Sequence, residues 1–322
     1  MTKQVSLIFL AVLLTALTIK GQETDYGPGY QTVLINNPAF TGSEGDGTLR
    51  LSYLNFYPGN NFNLHSVFVS YDSFIPVIHG GAGFFLTDDY MGGIINDLRG
   101  GVSYAYHFQA DKNIFINAGL AASCYYRGYN IGGIILPDQI DPLNGKSLVS
   151  GESISEKGHA VFDISTGVMI ISERFIAALA LNHLAAPDLA GSGSQTDKIE
   201  RKLVLNLAGK FDLDKNHQIF IRPVIMAESQ GRYHSLGAGG SLENNSLSLS
   251  AVILLNSVKD IDLQAGCSLK EGRFLFFYNY RFNIASGNGM VPLSLLHQAG
   301  LAFSLNYVDK RKVIKTINFP KL

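Results

Sequence analysis

Eight histidines could offer ligand or proton-transfer chemistry: His65, His79, His107, His159, His183, His217, His234 and His297. None stands in an HExxH pair or in another spacing that brings two imidazoles to one metal, so each reads as a strand-face or rim residue. The stretches GGAGFF (80–85) and GAGGS (237–241) are glycine-rich. They lack the following Lys-Ser/Thr and the helix that a phosphate loop requires, and such glycines instead relieve crowding or kink a sheet wall. No G-x-S-x-G elbow occurs, and the acidic residues form no recognisable catalytic pair. LPDQIDPLNG (136–145) offers Asp138, Asp141 and Asn144. Their spacing is not that of an EF-hand loop, so a solvated turn is favoured over a calcium site. The expectation is a protein without enzymatic activity, cofactor or metal. A Ser-His-acid set assembled across strands, as in a membrane lipid hydrolase, would leave no local motif.

The bulk properties say what kind of body must position these residues. The chain has 322 residues and a net charge of −1, so no basic field points to nucleic acid. Charged residues make up 16%, below the roughly 25% usual in soluble domains. Residues 1–21 read as a cleaved signal peptide: Lys3 gives the positive start, Val5 to Leu17 the apolar core, and a cut before Gln22 follows. The alternative, a membrane anchor, needs about 20 apolar residues, more than this run supplies. Only Cys124 and Cys267 occur. One bridge between them remains open, but two small apolar side chains on strand faces is the simpler reading.

From Thr48 onward the hydrophobic period is two. Ile261, Leu263, Ala265, Cys267 and Leu269 alternate with Asp260, Asp262, Gln264, Gly266 and Ser268. His297, Ala299, Leu301, Phe303, Leu305 and Tyr307 alternate in the same way with Gln298, Gly300, Ala302, Ser304 and Asn306. A soluble β-sandwich would also alternate. Three features favour an all-β transmembrane antiparallel barrel. The strands run to about 10–12 residues, when soluble strands average about 5–6 and a tilted span takes about 9–11. About fourteen can be placed, an even number: 48–57, 62–74, 79–88, 98–109, 112–126, 158–171, 173–183, 199–212, 216–227, 232–243, 246–255, 260–270, 272–284 and 295–307. Connections after even strands are tight, while those after odd strands include the long ones, as in outer-membrane barrels. Closure also removes sheet edges, which hydrocarbon does not tolerate. Tyr53, Tyr57, Tyr104, Tyr106, Phe108, Tyr125, Tyr126, Tyr278, Tyr280 and Tyr307 are expected to form interfacial girdles. Lys202, Lys210, Asp260, Asp262, Arg273 and Arg281 are expected to line a polar lumen.

Residues 22–47 form a lead-in before the barrel (48–307). Asn37-Pro38 fixes a corner within it, because the residue before proline avoids the helical region. Phe40 is an apolar anchor, and Gly42, Gly45 and Gly47 loosen the chain. The lead-in is either tucked against or into the barrel mouth, or is an ordinary turn. After the barrel, 308–322 is a basic tail with Lys310, Arg311, Lys312, Lys315 and Lys321. It is either a frayed solvated end or a contact for an acidic partner.

Asn37-Pro38-Ala39-Phe40-Thr41-Gly42, placed after a signal peptide and before a barrel of this size, resembles the lead-in of the PorP/SprF family of outer-membrane proteins associated with type IX secretion. The resemblance continues through 80–108 and 114–130 and covers most of the mature chain. Members commonly place an Arg and an aromatic-rich "QW"-like end in the first strand. This chain reads LRLSYLNFYPG there and has no Trp. The resemblance implies a barrel in the bacterial outer membrane, with both termini periplasmic, that supports export or surface anchoring of a partner such as a large adhesin used in gliding or attachment. It also implies contacts with outer-membrane lipid, other type IX components and a secreted surface client. The candidate contact residues are Asn37, Pro38, Ala39, Phe40, Gly42, Lys310, Arg311 and Lys312. The alternative is a passive porin-like channel for small solutes.

Overall fold

A computed structural model describes residues 32–45, 47–58, 64–130, 140–141, 145–146, 158–189, 197–214, 218–286 and 294–305. The leader (1–21) and Lys310, Arg311 and Lys312 lie outside these residues. Fourteen antiparallel strands form the wall. They are β1 (Thr48–Phe56), β2 (Leu64–Ile75), β3 (Gly80–Met91), β4 (Ile95–Asp111), β5 (Ile114–Tyr129), β6 (His159–Ile171) and β7 (Phe175–Asn182). The remainder are β8 (Lys202–Gly209), β9 (Phe220–Gln230), β10 (Tyr233–Glu243), β11 (Leu247–Asn256), β12 (Ile261–Glu271), β13 (Phe274–Ala285) and β14 (Ser294–Ser304). Each strand pairs with its sequence neighbours, and β1 pairs with β14 from Thr48↔Ser304 to Phe56↔Leu296, closing the ring. Closure satisfies every strand edge without water, the condition for crossing hydrocarbon. No helix among the described residues is long and apolar enough to cross a membrane.

The period of two sets the two faces. Leu247, Leu249, Ile253 and Leu255 of β11 point outward and are exposed. Ser248, Val252 and Leu254 point inward and are buried. Asp262, Gln264 and Ser268 of β12 and Gln298 of β14 face the lumen as the alternation requires. Tyr53, Tyr104, Tyr106, Phe108, Tyr126 and Tyr278 are exposed on the outer wall, where aromatic girdles belong. Cys124 and Cys267 are both free and exposed on that face, on strands β5 and β12.

The structure corrects the expectation in several places. Tyr125 is not in a girdle: it points inward, is 5% exposed and reaches His183 with its hydroxyl. Arg273 is exposed in the tight turn between β12 and β13 and does not line the lumen. Lys210, by contrast, keeps the inward phase of Val204 and Ala208, before a short extension at Phe211–Asp212, with its ammonium 4.1 Å from the Phe220 ring centre. Strands β7 and β8 are shorter than the apolar pattern suggests, at 8 residues each. The chain leaves β7 through His183 at φ 60° and Ala186 at φ 46°, backbone states that end a strand. Conversely β4 and β5 are longer than expected, at 17 and 16 residues. The connection between β5 and β6 contains a two-residue hairpin, Ile140–Asp141 with Gly145–Lys146, so Asp141 is a strand residue; Asp138 and Asn144 lie outside the described residues.

Candidate functional site

The lead-in enters the barrel and fills the lumen on the side of the tight turns. Its first element is one helical turn, α1 (Val33–Asn36), with Val33, Leu34 and Ile35 buried. Asn37 ends it, with its N–H donating to the Val33 carbonyl at 2.9 Å. The same residue starts a 3₁₀ turn over Pro38–Phe40, where its side-chain oxygen accepts from the Ala39 N–H at 2.8 Å. This is an Asn cap with Pro at the first turn position, where a missing N–H costs nothing. The Thr41 hydroxyl closes the turn on the Pro38 carbonyl at 2.8 Å. Gly42 then takes φ +69°, a left-handed state suited to glycine. Each residue of the NPAFTG run thus has a local structural task.

The wall is shaped to receive this segment. A Cβ on Gly119 of β5 would lie 2.3 Å from the Pro38 carbonyl carbon. One on Gly167 of β6 would lie 2.0 Å from the Asn37 side-chain oxygen, and one on Gly81 of β3 would lie 2.1 Å from the Thr41 carbonyl oxygen. All three glycines occupy inward positions of their strands. Any side chain there would overlap the lead-in, mostly its backbone, which cannot swing aside.

Inward polar side chains then bind the lead-in's backbone. Amide groups of Asn182 and Asn117 donate to the carbonyls of Asn36 and Ala39 at 3.0 and 3.4 Å. His107 Nε2 lies 3.0 Å from the Thr41 carbonyl oxygen, a bond that needs its proton on Nε2. The Thr41 hydroxyl also reaches Ser103 Oγ at 2.9 Å. Asp72 of β2 accepts the Gly42 N–H at 2.7 Å and pairs with Arg50 of β1. Arg50 also meets Glu44 of the lead-in at 3.1 Å. Asp72 and the Arg50 guanidinium are almost wholly buried, so their mutual pairing is what makes either charge tolerable there.

Apolar contacts complete the seat. Leu34, Ala39 and Phe40 pack with Phe115, Met169, Ile176, Val224 and Met226, while Ile35 packs with Leu54, Phe68, Phe85 and Leu296. Arg99 is held between aromatic faces, 5.3 Å from the Phe85 centre and 4.6 Å from that of Tyr125.

Beyond the plug, toward the long loops, a cavity of about 380 Å³ remains, lined by Lys202, Glu228, Gln230, Asp260, Asp262 and Arg281 among others. Its charged side chains have polar partners. Lys202 meets Glu228 at 3.0 Å, Asn283 donates to Asp262 at 2.8 Å, and Arg281 donates to Gln264 at 3.1 Å. Of the six residues expected to line a polar lumen, these four (Lys202, Asp260, Asp262 and Arg281) do so.

The sequence reading picked out Asn37, Pro38, Ala39, Phe40 and Gly42, and the structure brings them together inside the wall with none on an open surface. It passed over Gly81, Gly119 and Gly167, and the latching residues Asp72, His107, Asn117 and Asn182. The usable signal was parity: each of these falls on the inward phase of its strand.

Comparison with known proteins agrees with this architecture. The chain is similar to solved hydrocarbon channels. The Pseudomonas putida toluene transporter TodX is 13% identical over 91% of this chain and 96% of its own, with a TM-score of 0.51. The CymD monoaromatic hydrocarbon channel is 12% identical over 88% and 94%, with a TM-score of 0.52. At such identities the likeness is one of fold, that of outer-membrane barrels. No curated protein matches the sequence significantly. The model of the type IX secretion system membrane protein family PorP/SprF matches residues 20–303. The chain therefore belongs to the PorP/SprF family of type IX secretion system membrane proteins.

Proposed function

We propose that this barrel is a non-enzymatic accessory of type IX secretion, supporting export or surface anchoring of a partner protein such as a large adhesin. Family membership carries the secretion half of the reading. The observation that carries the accessory half is the occupied lumen. The lead-in sits where a solute would have to pass, held by four wall strands and a buried ion pair. A passive pore would leave that path open. The polar cavity at the long-loop mouth is the one feature that favours the channel reading, and it ends on the plug. In this reading the tight-turn end, the chain termini and Lys310, Arg311 and Lys312 face the periplasm and the other secretion components, and the long connection around 127–157 meets the client outside.

The test compares the surface and secreted proteomes of a deletion strain with those of its parent. Selective loss of one or a few large surface proteins is the expected result and names the client. An unchanged profile would remove the export reading and move the channel reading ahead, which planar-bilayer conductance of the purified barrel then decides.

A further inference from the structure

The outer wall carries a groove of about 700 Å³ on its lipid-facing side, near the long-loop end. It arises from side-chain size along adjacent strands. On β9, Ala227 and Ser229 point outward opposite Leu205 and Leu203 of β8. On the other side Ala227 stands opposite Leu236 of β10, which is itself paired with Leu255 of β11. Leu203 and Leu205 on one side and His234 and Leu236 on the other, two strand spacings apart, about 10 Å, therefore flank a floor of one methyl and one hydroxymethyl, the latter 2.9 Å from His234 Nδ1. That is a slot for a single acyl chain. A polypeptide segment in the same hydrocarbon zone would have to satisfy its backbone groups there, which a lipid tail need not do.

The polar end of the groove, at His234 and Ser257, adjoins two turns that carry cations. Arg232 lies in the turn before β10, two residues before His234 and four before Leu236, and Lys259 lies in the next turn, after Ser257. Both are exposed, and neither side chain makes an ion pair among the described residues. The two turns are tied together. The Ser257 N–H donates to the His234 carbonyl at 2.8 Å, and the Ser257 hydroxyl donates to the Arg232 carbonyl at 3.2 Å. Two unpaired cations at the polar end of an apolar slot complement one molecule type: an anionic headgroup joined to acyl chains.

We infer that this groove is a binding site for a phosphorylated membrane lipid, with an acyl chain along β9 and the phosphate held between Arg232 and Lys259. Native mass spectrometry of the full chain in detergent micelles tests it, with dimyristoyl phosphatidic acid as probe. Dimyristoyl glycerol supplies the chains without the phosphate, and inorganic phosphate supplies the converse. One retained phosphatidic acid, bound about tenfold more tightly than the diacylglycerol, is expected from two basic residues at a membrane surface. Inorganic phosphate should not be retained. Ala227→Phe, which fills the slot, and the turn double variant R232A/K259A should each abolish that preference, with heat-modifiable gel mobility reporting an intact barrel. Equal retention of both lipids, or a preference unchanged in both variants, overturns the site. A dimer lost in Ala227→Phe would instead assign the groove to a second copy of the chain and likewise overturn it.

Discussion

Gly119 of β5 and Pro38 of the lead-in meet so closely that a Cβ on the glycine would fall 2.3 Å from the proline's carbonyl carbon. The wall and the segment inside it are thus complementary at the level of single atoms, and a side chain at this contact should dislodge the plug.

Gly119→Val should push the lead-in out of its seat or strain the wall, at an overpacking cost of about 1–3 kcal/mol. The fourteen-strand ring, closed through β1 and β14, is remote from this clash and should persist. Planar-bilayer recording is expected to show a closed wild type and a conducting variant, both with the gel mobility of a folded barrel. Equal conductance would mean that the plug tolerates the clash.

Asp72 joins two otherwise separate things, the Gly42 N–H of the plug and the Arg50 guanidinium of the wall. Asp72→Ala removes one of the carboxylates that Arg50 meets and should cost about 3–5 kcal/mol, as breaking a buried pair does. The double variant Arg50→Met/Asp72→Leu removes both charges and should recover part of that loss. Denaturant unfolding in detergent micelles measures both.

Replacing Pro38, Ala39 and Phe40 with a Gly-Ser linker removes the 3₁₀ turn and the Phe40 anchor, which is 3% exposed. Membrane insertion of the barrel should be unchanged, because no wall strand is altered. Export of the client should fall, as read by its surface abundance. Unaffected export would make the plug a tether with no part in secretion.

Cys124 and Cys267 stand on β5 and β12, seven strands apart in a ring of fourteen, and both face outward. Gel mobility should be the same with and without reductant. Both thiols should react with a lipid-soluble maleimide and resist a charged one confined to water.

The period of two was enough to read the barrel from the sequence. Asp262, Gln264 and Ser268 against Leu263, Cys267 and Leu269 announce two faces in different media, and the even strand set with tight and long connections announces closure. The same parity placed Gln298 and Arg281 inward correctly. It failed for Tyr125, whose residue type suggested a girdle while its phase pointed inward, and for Arg273, which sits where the pattern runs into a turn.

What the sequence determined by itself was local: strand phase and the Asn-Pro corner. The left-handed φ at Gly42, and which strands the corner would meet, were decided only by the tertiary structure. Strand pairing sets Gly119 directly opposite Gly167 and places Gly81 two strands away, so that all three surround one six-residue segment. No local pattern encodes that meeting, because a missing side chain becomes informative only when the atoms that take its place are known.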